Sequence, residues 1–193
     1  MAPYSNVTGV ILAGGKSSRM GHDKAILEID GISFFEKTAA VFRSIFSRVL
    51  IAGNRPDLAG PDLAYIPDRY PGSALGGIYT GLAEAGTSFV FVGPCDLPFP
   101  RPELIRVLLD QRFGYDVVVP RTAKGLEPVF AVYGRNCLAP MREMLERNHY
   151  RIYDLFPRVR TREIDVTDFP EDWEQSLWNV NTREDYQRLR HQN

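Results

Sequence analysis

Three cations and two adjacent glycines occupy one short stretch of this chain, directly after an apolar run. The run at residues 10–12 leads into Gly14 and Gly15. The cations that follow are Lys16, Arg19 and Lys24. Glycines allow backbone N–H groups to approach oxygen atoms closely, and cations neutralise the remaining negative charge. The stretch therefore predicts a site for a polyphosphate.

Two common phosphate-binding loops do not account for this stretch. A P-loop requires a glycine where Val10 stands, and the dinucleotide fingerprint G-x-G-x-x-G is not completed after Gly14. A pair of glycines after a strand is also typical of a simple turn. The three nearby cations favour the phosphate site over a turn alone.

The composition sets the broad class of the protein. The chain has 193 residues, 44% of them hydrophobic, which fits one domain with a core. A formal net charge of −1 argues against a nucleic-acid partner. No apolar stretch approaches the roughly 20 residues of a membrane span, and the first residues lack an export pattern, so we expect a cytoplasmic enzyme. Cys95 and Cys137 lack metal or redox spacing, which indicates packing roles.

Strand-like apolar runs alternate with helical patterns along the chain, and they must position the glycine loop. Strands are predicted at residues 7–12, 49–52, 89–92, 117–119 and 129–133, with a less regular one near 163–166. Helices are predicted after the capping box of Ser33 and Glu36, and at 75–85, after 102, at 138–148, near 153–156 and after 182. This alternation predicts an α/β fold with a mainly parallel sheet covered on both faces.

Polar residues follow several of these strands, where ligands of parallel sheets bind. Asn54 follows the second strand, Asp68 follows a short apolar run, and Asp96 follows residues 89–92. Asp96 is the candidate magnesium ligand, because Mg²⁺ is held by one or two carboxylates together with phosphate oxygens and water. For Asp68 and Asp96 alike, a turn that bonds the local backbone is the alternative interpretation.

The stretch at residues 12–24 matches every fixed position of L-A-G-G-x-S-x-R-M-G-x-D-K. It resembles the signature of the nucleotidyltransferases that activate molybdopterin, above all the molybdenum cofactor guanylyltransferases of the MobA family. The resemblance covers essentially the full chain. It implies a single three-layer, Rossmann-like nucleotidyltransferase domain over residues 1–193, whose N-terminal half binds nucleotide and whose C-terminal half binds the pterin. The implied reaction transfers GMP from GTP to the phosphate of molybdopterin, with Mg²⁺ as cofactor and pyrophosphate as product.

The resemblance also assigns roles to residues. Lys24, Arg19 and Asp96 would be catalytic, with Asp96 holding the metal; a lysine can follow developing charge as a point charge, and an arginine can grip phosphate oxygens in pairs. The implied nucleotide-binding residues are Leu12, Ala13, Gly14, Gly15, Lys24, Asn54, Asp68 and Asp96. The implied pterin-binding residues are Glu127, Pro128, Asn179 and Asn181.

Three functions stay open from the sequence. The L-A-G-G form of the loop favours GTP, because the related cytidylyltransferases usually carry L-A-A-G. A cytidylyl- or sugar-phosphate nucleotidyltransferase with the same loop is the first alternative, and a non-catalytic GTP-binding module is the second. Partners implied by the main interpretation are GTP and molybdopterin, together with other cofactor-biosynthesis proteins and acceptor molybdoenzymes, but neither nucleic acid nor a membrane.

Overall fold

The computed structural model describes residues 4–14, 24–171, 173–178, 180 and 183–191. Within these residues an eight-stranded sheet forms the centre of the fold, and a two-stranded hairpin lies beside it. The strands are β1 (Val7–Ala13), β2 (Glu28–Ile29), β3 (Ile32–Ser33), β4 (Val49–Gly53), β5 (Ala64–Ile66), β6 (Phe89–Pro94), β7 (Val117–Thr122), β8 (Gly125–Leu126), β9 (Ala131–Gly134) and β10 (Thr161–Asp165). The main sheet has the order β10-β7-β9-β6-β1-β4-β5, with β8 paired to β7, and β2 and β3 form the hairpin.

The main sheet is mixed and mainly parallel, as the alternation of strands and helices predicted. Strand β1 pairs in parallel with β4 and β6, β4 with β5, and β7 with β10. Strand β9 runs antiparallel between β6 and β7. The carboxyl ends of β1, β4, β5, β6 and β7 therefore lie along the same edge of the sheet, which we call the carboxyl edge.

Strand β9 begins later than the sequence predicted. The expected strand covered residues 129–133, but residues 128–130 form a turn, in which the N–H of Phe130 donates to the carbonyl of Glu127 at 3.0 Å. This turn brings the chain back along β7 after the short β8 hairpin. Its position places Glu127 and Pro128 at the carboxyl edge.

Helices cover both faces of the sheet, which confirms the predicted three layers. The helices are α1 (Phe34–Ile45), α2 (Ala74–Glu84), α3 (Pro102–Asp110), α4 (Leu138–Glu146), α5 (Trp173–Ser176) and α6 (Arg183–His191). Helices α1 and α3 pack on one face and α2 and α4 on the other. Side chains of β1 alternate between the two cores, since Ile11 joins the first and Val10 and Leu12 join the second. Among the described helices, none has both the length and the apolar character that crossing a bilayer requires.

The start of α1 confirms the predicted capping box. The hydroxyl of Ser33 accepts from the N–H of Glu36 at 3.2 Å, and the carboxylate of Glu36 accepts from the N–H of Ser33 at 2.9 Å. Such a cap contributes about 1 kcal/mol. The cap fixes the residue at which the hairpin ends and α1 begins, and α1 then packs its apolar face on the sheet.

The C-terminal helix packs on the β2–β3 hairpin rather than on the main sheet. The hydroxyl of Tyr186 in α6 donates to the carbonyl of Glu28 at 2.7 Å, and Leu189 joins a small apolar cluster with Ile29 and Phe34. Buried Val180 belongs to the same cluster.

Candidate active site

Four of the predicted site residues follow four neighbouring strands at the carboxyl edge. In the order of the sheet, Asp68 follows β5, Asn54 follows β4, Gly14 follows β1 and Asp96 follows β6. Residues separated by up to 82 positions in the sequence thus share one edge of the sheet. Leu12 and Ala13 are the last two residues of β1, and both are buried directly before Gly14.

The ends of β1 and β4 are in close backbone contact. A Cβ added to Gly53 would lie 2.5 Å from the carbonyl carbon of Ala13 and 2.6 Å from the nitrogen of Gly14. Gly53 also has a φ of +143°, which side chains rarely adopt. Only glycine allows this approach, which holds Gly14 against β4 and beside the exposed Asn54.

Asp68 lies against the glycines of two elements. A Cβ on Gly14 would be 3.5 Å from Oδ2 of Asp68, and a Cβ on Gly77 would be 3.7 Å from Oδ1. The loop is held in place because the N–H of the next residue, Arg69, donates to the hydroxyl of Thr80 in α2 at 3.0 Å. Because neither glycine has a side chain, the carboxylate of Asp68 lies directly against the first turn of α2 and the end of β1.

The carboxylate of Asp68 is unusual in its lack of partners. Its Oδ1 is buried and has no hydrogen-bond partner in the described structure. Burial raises the pKa of Asp68 to about 6, because a desolvated carboxylate favours its neutral form. A buried acceptor without a donor is costly unless a ligand supplies one.

Asp96 directly follows Cys95, whose backbone hydrogen bond joins the ends of β6 and β1. The N–H of Cys95 donates to the carbonyl of Leu12 at 3.2 Å, so the chain from Cys95 to Asp96 turns beside Gly14. Asp96 is only partly buried. Within the part of the chain that the structure describes, His, Cys, Asp and Glu side chains form no group of three that could hold a metal.

Several predicted residues are not described. Gly15, Arg19, Asn179 and Asn181 lie outside the described residues. The backbone of Lys24 begins a 3₁₀ turn with Ile26, but its side chain is not part of the description.

One of the predicted pterin-binding residues, Glu127, lines a cavity farther along the same edge. This cavity has a volume of about 710 Å³. We call it the β7 cavity, and its lining residues are Thr122, Ala123, Lys124, Glu127, Trp173, Glu174, Gln175, Leu177, Trp178 and Asp185. Glu127 was predicted at a pterin site, whereas the two tryptophans were not singled out. Nothing in the local sequence connects residues 173–178 with Glu127, because their meeting depends on the return of the chain after β10.

Pro128 contributes its backbone to the region beside the β7 cavity. Its carbonyl accepts a hydrogen bond from the fully buried hydroxyl of Tyr133 at 2.6 Å. This bond ties the turn at residues 128–130 to β9, and it keeps Glu127 in place from the C-terminal side.

The family model described as MobA-like NTP transferase domain matches residues 9–161. The chain belongs to the MobA-like NTP transferase family. Its place among the nucleotidyltransferases confirms the enzyme class that residues 12–24 predicted. The matched region begins within β1 and ends at the first residue of β10, and so includes all four strand ends of the site.

Relatives of this MobA-like chain are similar over most of their length. A relative from Pelotomaculum thermopropionicum, named "Probable molybdenum cofactor guanylyltransferase", is 37% identical over 95% of this chain and 91% of its own. The crystal structure of molybdopterin-guanine dinucleotide biosynthesis protein A from Archaeoglobus fulgidus has a TM-score of 0.82 at 21% identity, covering 95% of this chain and 97% of that chain. A Mycobacterium tuberculosis protein in complex with manganese, Rv0371C, has a TM-score of 0.68 at 22% identity and covers 98% of this chain and 100% of that one. The two solved structures share the fold.

Proposed function

We propose that the protein is a molybdenum cofactor guanylyltransferase that transfers GMP from GTP to the terminal phosphate of molybdopterin. An oxygen of that phosphate attacks the α-phosphorus of GTP. The new P–O bond forms as the bond from the α-phosphorus to the bridging oxygen breaks, and pyrophosphate leaves with the electron pair. The attacking phosphate is already anionic, so the reaction needs positioning and charge stabilisation but no protein nucleophile.

The observation that carries the proposal is the convergence of Gly14, Asp68 and Asp96 at neighbouring strand ends. A triphosphate needs backbone donors, and Gly14 and Gly15 lack the side chains that would keep phosphate oxygens away from their N–H groups. Arg19 and Lys24 supply positive charge for the phosphates. Asn54 and Asp68 face the nucleoside from the next two strands, and Oδ1 of Asp68, which has no partner among the described residues, accepts a hydrogen bond from it.

The residues at the edge fit a magnesium ion. Asp96 offers a partly exposed carboxylate, and Mg²⁺ commonly combines one or two carboxylates with phosphate oxygens and water. When bound there, the ion supplies charge neutralisation between the two phosphate groups and polarises the α-phosphate. The backbone hydrogen bond from the N–H of Cys95 to the carbonyl of Leu12 fixes the chain directly before Asp96.

The acceptor binds on the other side of Asp96. Glu127, Pro128, Asn179 and Asn181 are its proposed contacts, since the first two stand at or beside the β7 cavity. In the sheet order, this cavity and Asp68 lie on opposite sides of Asp96. The acceptor and the nucleoside then bind on opposite sides of Asp96, and the acceptor phosphate attacks the α-phosphorus in line with the bond to the leaving pyrophosphate. A cytoplasmic location, and the expectation of no nucleic-acid or membrane partner, remain predictions from composition.

The proposal is tested by measuring pyrophosphate release with Mg²⁺, molybdopterin and each of the four nucleoside triphosphates. GTP is expected to give the fastest release, and release should depend on molybdopterin. Faster release with CTP would replace the guanylyl assignment by the cytidylyl alternative. Tight GTP binding without release under any acceptor would support a binding module instead.

Asp96→Ala is expected to slow turnover by roughly 100-fold or more, as does loss of one group that stabilises developing charge. Lys24→Ala should have a similar effect. Asp62→Ala is the matched control, because Asp62 is an exposed carboxylate before β5, at the opposite edge of the sheet. Normal turnover in Asp96→Ala would remove Asp96 from the mechanism.

A further inference from the structure

Helix α2 lies directly against β1 at two of its glycines. A Cβ added to Gly81 would be 2.6 Å from Cγ1 of Val10, and one added to Gly77 would be 3.0 Å from Cδ2 of Leu12. These distances leave no room for a side chain at Gly81 and little at Gly77, so the backbone of α2 packs on the side chains of β1. Because β1 leads into the glycine loop, α2 keeps a fixed position relative to Gly14.

One face of α2 contacts two consecutive residues of the loop that follows β5. Gly77 and Thr80 are three positions apart, so they lie on the same side of the helix. The Cβ position of Gly77 is 3.7 Å from Oδ1 of Asp68, and the hydroxyl of Thr80 accepts from the N–H of Arg69 at 3.0 Å. The helix therefore contacts both the carboxylate of Asp68 and the peptide group that follows it.

The hydrogen bond to Thr80 acts on Asp68 through a rigid unit. The N–H of Arg69 and the Cα of Asp68 belong to the same planar peptide group. A bond that fixes this N–H therefore also fixes the atom from which the Asp68 side chain extends. Thr80 is fully buried, and a threonine side chain is stiff at χ1, so its hydroxyl is an acceptor in a fixed place.

Other contacts between this loop and α2 constrain the backbone of Asp68 less directly. The guanidinium of Arg69 pairs with the carboxylate of Glu84, and both side chains are exposed. An exposed ion pair between long side chains holds the backbone weakly. The ring of Tyr70 meets that of Tyr79 edge-on, with centroids 5.4 Å apart, but this contact is two residues beyond Asp68.

We propose that Thr80 is a positioning residue for nucleotide binding, which sets the place of the Asp68 carboxylate relative to the glycine loop through its hydrogen bond with the N–H of Arg69. This inference rests on the proposed function, in which Asp68 binds the nucleoside of GTP. The nucleoside does not react, so Asp68 binds it equally in the ground state and in the transition state. Loss of the Thr80 hydroxyl should therefore weaken binding and leave the chemical step unchanged.

The test compares three substitutions of Thr80 by calorimetric titration with GTP and by turnover assays. Thr80→Val keeps the shape of the side chain and removes the hydroxyl, and Thr80→Ala removes it without adding a methyl group in its place. Both should raise the dissociation constant and KM for GTP about 3- to 10-fold, the factor that one hydrogen bond contributes, at unchanged kcat. Thr80→Ser keeps the hydroxyl and should restore the affinity of the wild type.

A double-mutant cycle with Asp68→Ala shows whether Thr80 acts through that carboxylate. If it does, Thr80→Val should weaken GTP binding in the wild type but change it less than about twofold in the Asp68→Ala background. Glu84→Gln is the matched control, because it removes the other partner of Arg69 on α2 and should leave GTP binding unchanged. A merely structural defect would reduce the folded fraction, and hence kcat, without changing KM.

The outcomes separate this inference from the proposed function. Failure of the wild type to release pyrophosphate with GTP and molybdopterin would count against the proposed function, whereas the cycle depends on GTP binding alone. Equal effects of Thr80→Val with and without the Asp68 carboxylate would overturn the inference and leave the proposed function standing. A lower kcat at unchanged KM in both Thr80→Val and Thr80→Ala, or weak binding in Thr80→Ser, would overturn it as well.

Discussion

Replacing Asp68 with asparagine should make the unliganded protein more stable at neutral pH and weaken its binding of GTP. The carboxylate of Asp68 lies between Gly14 and Gly77, and its buried Oδ1 has no donor among the residues that the structure describes. Asparagine has nearly the same shape but does not ionise. The substitution therefore removes the cost of burying a charge and leaves the backbone undisturbed.

The size of the effect follows from the pKa of Asp68, which burial raises from 3.8 to about 6. Below pH 3.8 the carboxyl group is neutral in both the folded and the unfolded chain, so it costs nothing. Between pH 3.8 and 6 the unfolded chain ionises first, and stability falls as pH rises. Above pH 6 the cost is constant, at most about 3 kcal/mol, since one pKa unit corresponds to 1.36 kcal/mol. Asp68 is still partly exposed, so solvent screening reduces this to roughly 1–2 kcal/mol.

The assay is urea unfolding of the wild type and Asp68→Asn at pH 4 and pH 7.5. The gain in free energy of unfolding is expected to be about 1 kcal/mol larger at pH 7.5 than at pH 4. Subtracting the two pH values cancels the cost of placing an amide in the site. Asp62→Asn, at an exposed position, serves as the control for a general loss of negative charge. Equal effects of Asp68→Asn at both pH values would refute the argument that burial of an unpartnered carboxylate dominates this site.

Two further substitutions test the frame around the site. Gly53→Ala places a Cβ about 2.5 Å from the backbone of Ala13, so it should lower the free energy of unfolding by more than about 2 kcal/mol and weaken GTP binding. Gly60→Ala is the control, because a Cβ at Gly60 meets no atom within 4 Å, and it should leave stability and GTP binding nearly unchanged. Hydrogen bonds from Arg160 lower the pKa of Asp116 to about 2, and Asp116→Asn removes the charge that they stabilise. Because Arg160 is exposed, we expect Asp116→Asn to reduce the free energy of unfolding by about 1–2 kcal/mol at pH 7. This reduction should disappear as pH falls from 4 towards 2. A loss that is independent of pH would show that packing, not charge, explains the effect of Asp116→Asn.

Much of the architecture was predictable because its signals are local. The capping box at Ser33 and the apolar run of β1 each depend on a few neighbouring residues, and both appear in the structure where they were expected. Strand β9 was placed two residues too early, since the turn that delays it depends on a hydrogen bond between Phe130 and Glu127. Its antiparallel direction also follows from pairing with β6 and β7, which no local pattern encodes.

The candidate site divides in the same way. Asp68 and Asp96 could be singled out because Asp68 follows a short apolar run and Asp96 follows a predicted strand, and the rule for parallel sheets places residues that follow strands at one edge. The state of Asp68 could not be predicted, because its burial results from two glycines on other elements. The aromatic walls of the β7 cavity were missed for a related reason. Trp173 and Trp178 approach Glu127 only after the chain has completed the sheet.

The sequence by itself determined which chemical groups the site contains and which family the chain belongs to, because the order of glycines, cations and carboxylates along the chain forms recognisable motifs. The tertiary structure decided the environment of those groups. Strand pairing sets Asp68 and Glu127 on opposite sides of Asp96, and burial among distant residues raises the pKa of both outer carboxyl groups. Burial is a property of contacts between segments far apart in the chain, and for that reason no local pattern of residues contains it.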